Sequence, residues 1–170
     1  GSATDLRHLK FFGSWSDMSE AIIPPNISEL ILIYMQLIHG PDLSSLTSLQ
    51  VLDFGYNAEL SDISFLATES CYSLKKLVLA GRSVEDISLL SMMTSLEWLD
   101  LFYNAVSNIS PLKDLVSLKY LNLAYNAIED ISSLSALISL KYLYLRGNNI
   151  TDISPLSSLV GLGALFISDN

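Results

Sequence analysis

An α/β solenoid is the fold class this sequence predicts, and three observations predict it. First, the chain repeats itself without a gap: residues 117–138 and 139–160, twenty-two each, are identical at fourteen positions. Second, further copies run along almost the whole chain. Their leading apolar residue falls at Leu6, Ile27, Leu49, Leu74, Leu96, Leu118, Leu140 and Leu162, in steps of 21, 22, 25, 22, 22, 22 and 22 residues. Third, each copy holds one short stretch of alternating apolar and polar residues, which is the period of a half-buried strand. A fixed period of this length marks units that stack on one another, because one unit alone cannot bury its apolar face.

The strand comes first in each copy. In Leu118-Lys119-Tyr120-Leu121-Asn122-Leu123 the last four residues alternate outward and inward. One strand per copy means that neighbouring copies pair in parallel, so each needs a crossover to bring the chain back. That crossover is the remaining sixteen or so residues. Such a short crossover suits a 3₁₀ or irregular turn more than a full α-helix; Ile128, Ile131, Leu134 and Leu137 return it to the core. Eight strands at about 4.8 Å spacing make an array roughly 34 Å long.

Two polar positions recur. Asn57, Asn104, Asn126, Asn148 and Asn170 follow their strands at one place, where Ser14, Met35 and Arg82 stand in the other copies. An amide inside an apolar turn must be satisfied, and backbone groups of its own and the adjacent coil are the partners in reach. Asp62/Ser64, Asp86/Ser88, Asp130/Ser132 and Asp152/Ser154, with Asn108/Ser110, open the crossovers. Short Asx and Ser side chains cap turns, so this row of acids reads as capping and not as a metal or acid–base site. The third copy is the long one, and its extra residues, within 67–73, are expected to bulge on the side away from the strands.

The composition narrows the function. Half of the 170 residues are apolar, ample for a core, and the net charge is −9 with only nine Lys plus Arg. No basic stripe is present to hold nucleic acid or an anionic membrane. The most apolar run, 30–38, is far short of the roughly 18–20 residues a membrane span needs. The lone cysteine, Cys71, allows no intramolecular disulfide, and with only His8 and His39 beside it no metal-ligand spacing occurs. No Ser-His-Asp order, phosphate loop or nucleophile elbow is found, and Asp53 and Asp100 lie two coils apart. The expectation is therefore no catalytic residue, no metal and no cofactor.

The stretches "LEWLDLFYNAV", "LKYLNLAYNAI" and "LKYLYLRGNNI" carry Leu-x-x-Leu-x-Leu-x-x-Asn followed by an apolar residue. In this the chain resembles the leucine-rich repeat family. The period of 22 residues, with "DISPL" at 152–156 and "NISPL" at 108–112, resembles the short repeats of internalin-type bacterial surface proteins. A related short class includes the regulatory subunit of a protein phosphatase. The resemblance covers about residues 6–170. It implies strands lining the concave face of an arc, crossovers lining the convex face, and a module that binds another protein.

On such an arc the constant positions hold the fold and the variable outward ones are free to specialise. Seven of the eight tyrosines fall on outward positions; only Tyr72 does not. Trp98, Tyr120 and Tyr142 share one position on consecutive strands. Tyr144 and Phe166 follow two residues on in theirs, as do Asp53, Asp100 and Asn122; Tyr56, Tyr103 and Tyr125 flank the strand exits. These eleven residues form the candidate partner-binding face, because Tyr and Trp offer large rigid area with a polar tip. Stacking among themselves to stabilise the sheet is the competing role.

The expected organisation is an expression tail at 1–5 and one domain at 6–170. The expected setting is extracellular or at the cell surface, as a piece of a larger protein whose C-terminal cap is absent. A cytoplasmic scaffold or phosphatase-type subunit and a structural spacer are the alternatives, and carbohydrate is the alternative ligand.

Overall fold

The structure, a computed structural model, describes residues 6–81 and 83–170. The tail at 1–5 and Arg82 lie outside the described residues. Eight strands follow one another: β1 (His8–Phe12), β2 (Glu29–Ile33), β3 (Val51–Asp53), β4 (Lys76–Val78), β5 (Trp98–Asp100), β6 (Tyr120–Asn122), β7 (Tyr142–Tyr144) and β8 (Ala164–Phe166). They form one parallel sheet in the order β1-β2-β3-β4-β5-β6-β7-β8.

The register is set by one leucine per strand. Leu9, Leu30, Leu52, Leu77, Leu99, Leu121, Leu143 and Leu165 pair in sequence across the sheet. From Leu30 to Leu143 this row is fully buried. A slip of one residue would turn every leucine outward, so burial pins the pairing.

The last five of the seven crossovers carry the expected 3₁₀ turns: Ser64–Leu66, Ser88–Met92, Ser110–Leu112, Ser132–Ala136 and Ser154–Ser158. Ile128, Ile131, Leu134 and Leu137 are buried behind β6. Each turn opens on the expected cap. The Oδ1 of Asp62, Asp86, Asp130 and Asp152 accepts the N–H of Ser64, Ser88, Ser132 and Ser154, each at 2.8 Å, and Asn108 accepts that of Ser110 at 3.0 Å. These amide bonds hold the carboxyls of Asp62, Asp86 and Asp152 below the usual carboxylate range, with the serine hydroxyls helping. Asp17 and Asp42 form the same cap with Ser19 and Ser44.

The long copy differs from a loose bulge. Its extra residues wind into the single helical turn α1 (Glu69–Tyr72) on the crossover side. Ser70 donates its hydroxyl to the Ser44 carbonyl at 3.0 Å, and Cys71 is fully buried. The thiol takes the core position that Leu46 and Met93 fill in the adjacent coils. Burial pushes it above the ordinary thiol range, against the Thr68 hydroxyl bond, so it is packed and unreactive.

The asparagine row is a ladder. Asn126 Nδ2 donates to the carbonyls of Leu101 in the preceding coil and Leu123 in its own, both at 3.0 Å, and its Oδ1 accepts the Val106 N–H at 3.0 Å. Asn57, Asn104, Asn148 and Asn170 repeat the pattern. Each amide thus ties two coils at the strand exit. Among the described residues no buried side-chain nitrogen or oxygen is left without a partner.

Candidate functional site

Strand pairing places the outward residues in two rows. One row runs Lys76, Trp98, Tyr120, Tyr142, Ala164; the other runs Val78, Asp100, Asn122, Tyr144, Phe166. Trp98 and Tyr120 stack with centroids 3.6 Å apart and planes 6° apart. Tyr144 and Phe166 stack at 4.6 Å and 3°. Between the two pairs the rings turn: Tyr120 meets Tyr144 at 5.3 Å and 44°, and Tyr142 at 6.4 Å and 42°. The tilt opens a hollow of about 320 Å³ lined by Trp98, Tyr120, Tyr142 and Tyr144. Tyr142 is 50% exposed and Phe166 49%, whereas Tyr120 and Tyr144 are half-buried. The rings therefore pack on one another and still present a wide aromatic surface.

The polar members of the set are engaged locally. The Oδ1 of Asp53, Asp100 and Asn122 accepts the N–H two residues on, from Gly55 at 2.8 Å, Phe102 at 2.9 Å and Ala124 at 3.1 Å. All three bend the chain out of its strand. Asp100 is pushed above the usual carboxylate range, first by burial and also by the charge of Asp53, against hydrogen bonds from Phe102 and Asn122. Burial pushes the Tyr120 phenol up to about 12, helped by Asp100 and Tyr144.

The third row follows a rule that composition alone does not show. Gly13, Tyr34, Tyr56, Gly81, Tyr103, Tyr125, Gly147 and Asp169 occupy the same place in successive copies, and all have positive φ. For the tyrosines φ is 55–59°, a left-handed conformation that costs a bulky residue roughly 1–2 kcal/mol. Neighbours have adapted to these rings. A Cβ on Gly147 would lie 2.7 Å from Tyr125, and one on Gly81 would lie 2.8 Å from Tyr56. Tyr103 and Tyr125 are 6.5 Å apart, with Phe102 edge-on to Tyr125 at 5.5 Å.

Tyr56 stands apart from the main patch. It stacks on Tyr34 at 4.8 Å and lines a hollow of about 580 Å³ with Ser16, Gln36, Ile38, Ala58 and Glu59. Asp53 also lies away from the patch, separated from Asp100 by Val78. Sequence reasoning passed over three contributors: Phe102, Lys76, whose ammonium lies 4.9 Å from the Trp98 ring, and Arg146, whose guanidinium lies 5.5 Å from Tyr125. Lys76 shares the row of Trp98, Tyr120 and Tyr142, so its row position was the available signal; Arg146 and Phe102 stand at one equivalent place, just before the positive-φ row. Among the described residues no three His, Cys, Asp or Glu side chains group to hold a metal ion, and no helix is long and apolar enough to cross a membrane.

Leucine-rich repeat models match residues 94–136, as two copies, and residues 139–159. No curated protein matches the sequence. Among solved structures the chain is similar to an internalin, InlF, from Listeria monocytogenes, at 27% identity and a TM-score of 0.71, over 98% of this chain and 55% of that one. It thus spans about half the length of that protein. Internalin C2 from the same organism matches at 29% identity and a TM-score of 0.66, over 84% of this chain and 72% of its own. A leucine-rich repeat protein of Leptospira interrogans shares the fold, with a TM-score of 0.79 at 22% identity, over 94% of this chain and 42% of that one. Two leucine-rich repeat models and these structural likenesses agree with the parallel sheet: the chain has the leucine-rich repeat fold, and its coils are similar to those of the Listeria internalins.

Proposed function

We propose that this protein binds another protein through the concave aromatic face of its sheet, and that it does so at the surface of a bacterial cell. The observation that carries the reading is the set of five rings, Trp98, Tyr120, Tyr142, Tyr144 and Phe166, gathered on four adjacent strands around a hollow open to solvent. Rigid aromatic clusters of this kind supply most of the energy at protein interfaces. Asp100 and Asn122 share the outward row of Tyr144 and Phe166; Tyr103 and Tyr125 extend the surface to one side. Tyr56 and Asp53 lie apart from it. The surface setting rests on the likeness to the Listeria internalins. The reading involves no chemistry on the partner and no cofactor.

The test is capture from source-cell and candidate-host extracts with the wild-type protein as bait. The control bait is the folded triple variant Trp98→Ala/Tyr120→Ala/Tyr142→Ala. A partner retained by wild type and lost by the variant is the expected result. A partner kept equally by both would move the site off the aromatic face. Capture of glycans alone, measured on the same baits, would replace the protein ligand by a carbohydrate.

A further inference from the structure

We propose that the hollow between Trp98, Tyr120, Tyr142 and Tyr144 receives a cationic side chain, lysine or arginine, presented by the protein partner. The inference rests on the protein-binding reading above and specifies what the partner brings.

The walls are the first argument. All four lining residues are aromatic; Trp98 and Tyr120 lie flat together at 6°, while Tyr142 and Tyr144 stand at 42° and 44° to Tyr120. A ring face is the negative part of its quadrupole, and a cation within about 6 Å of several such faces is held by all of them.

A nearby charge is the second. Asp100 lies two residues from Trp98 on the same side of β5, half-buried beside the hollow and close enough for its charge to act on Tyr120. A neutral side chain in the hollow would dry this carboxylate further and give it no counter-charge. An acidic one would meet the ring faces, Asp100 and a chain of net charge −9. A cation relieves what the others aggravate.

The chain's own cations are the third. Lys76 lies against Trp98, and Arg146 against Tyr125. The outward rings therefore already take ammonium and guanidinium groups at both margins of the patch. The walls themselves contain no Lys or Arg. Lys76 borders the hollow at Trp98, so the place for a further cation is the Tyr142 and Tyr144 side, three strands from Lys76 and roughly 14 Å at the spacing of paired strands, beyond the screening length of about 8 Å in physiological salt.

The test uses the whole protein and a set of blocked pentapeptides, Ac-Gly-Gly-X-Gly-Gly-NH₂, with X as Lys, Arg, Gln, Leu or Glu. Tyrosine-ring NMR shifts are followed during titration. The Lys and Arg peptides should shift the Tyr142 and Tyr144 rings and saturate, while the Gln and Glu peptides should not. Tyr142→Leu keeps apolar bulk and loses one ring, so it should weaken the cationic peptides about two- to fivefold and leave the Leu peptide unchanged. An equal response to Gln or Leu, or no response to either cation, overturns the proposal. If the Leu peptide alone binds, the cationic assignment fails and the protein-binding face stands. If the capture experiment also shows no dependence on the three aromatic residues, both fail.

Discussion

Tyr103 shows how one side chain is set against its own backbone. Its φ of 55° suits glycine, which stands at the same place in Gly13, Gly81 and Gly147. Replacement by Gly should leave the protein about 1 kcal/mol more stable than replacement by Ala, reversing the usual order, because only Gly adopts this φ without strain. Paired urea melts of the two variants would check this; Ala at or above Gly would remove the strain argument. Asp100 gives a pH-dependent counterpart. Its folded carboxyl holds the proton more tightly than the unfolded one, so stability is lost as pH rises through the interval between the two values. Asn122 fills the same place in the next coil and accepts the same kind of amide bond. Asp100→Asn should therefore keep the turn and raise Tm at pH 7 by a few degrees, since about 1 kcal/mol moves Tm roughly 2–4 °C at this size. The gain should close as pH falls below about 4, where wild-type Asp100 is protonated in both states. A gap independent of pH would mean that burial of the charge is not its source.

At the scale of the coil, the asparagine ladder joins local turn to global stack. The sequence pattern alone located its rungs, because a polar residue recurring among leucines needs a repeated partner. The geometry bears out that each amide serves two coils at once and names the partners. Asn126→Ala should cost about 1–3 kcal/mol and lower hydrogen-exchange protection in the coils of both β5 and β6. Loss confined to the β6 coil would contradict the bridging role. The extra residues of the long copy lie on the side away from the strands, as expected; what the sequence did not show is that they wind into the α1 turn, where Cys71, apolar and small enough for a core position, is fully buried. The positive-φ row was equally obscured. Three glycines and an aspartate hinted at it, but the four tyrosines masked the hint by looking like free surface choices.

In the whole molecule, stability is a sum of neighbour contacts, and equivalent leucines need not be equal. Leu121 is 0% exposed between β5 and β7, while Leu165 on β8 is 40% exposed. Leu121→Ala should cost about 2–5 kcal/mol, and Leu165→Ala only about 1 kcal/mol. Solenoids often unfold in steps, so hydrogen exchange coil by coil is the better measure than a single melt. Equal costs at the two sites would show that the sheet does not unfold from its ends.

The repeat period, the strand positions, the parallel pairing, the turn caps and the buried leucines were all readable along the chain. Each depends on residues close in sequence, or on the same place in the next copy. The candidate binding residues were readable only as a set, from outward positions that vary. Which of them meet was decided by the stack. The Trp98–Tyr120 and Tyr144–Phe166 pairs, the tilted rings between them, the separation of Tyr56 and Asp53, and the burial of Asp100 depend on side-chain rotation. So do the cations set against Trp98 and Tyr125. Those rotations are chosen by packing against residues twenty-two positions away, which periodicity predicts as neighbours but cannot orient.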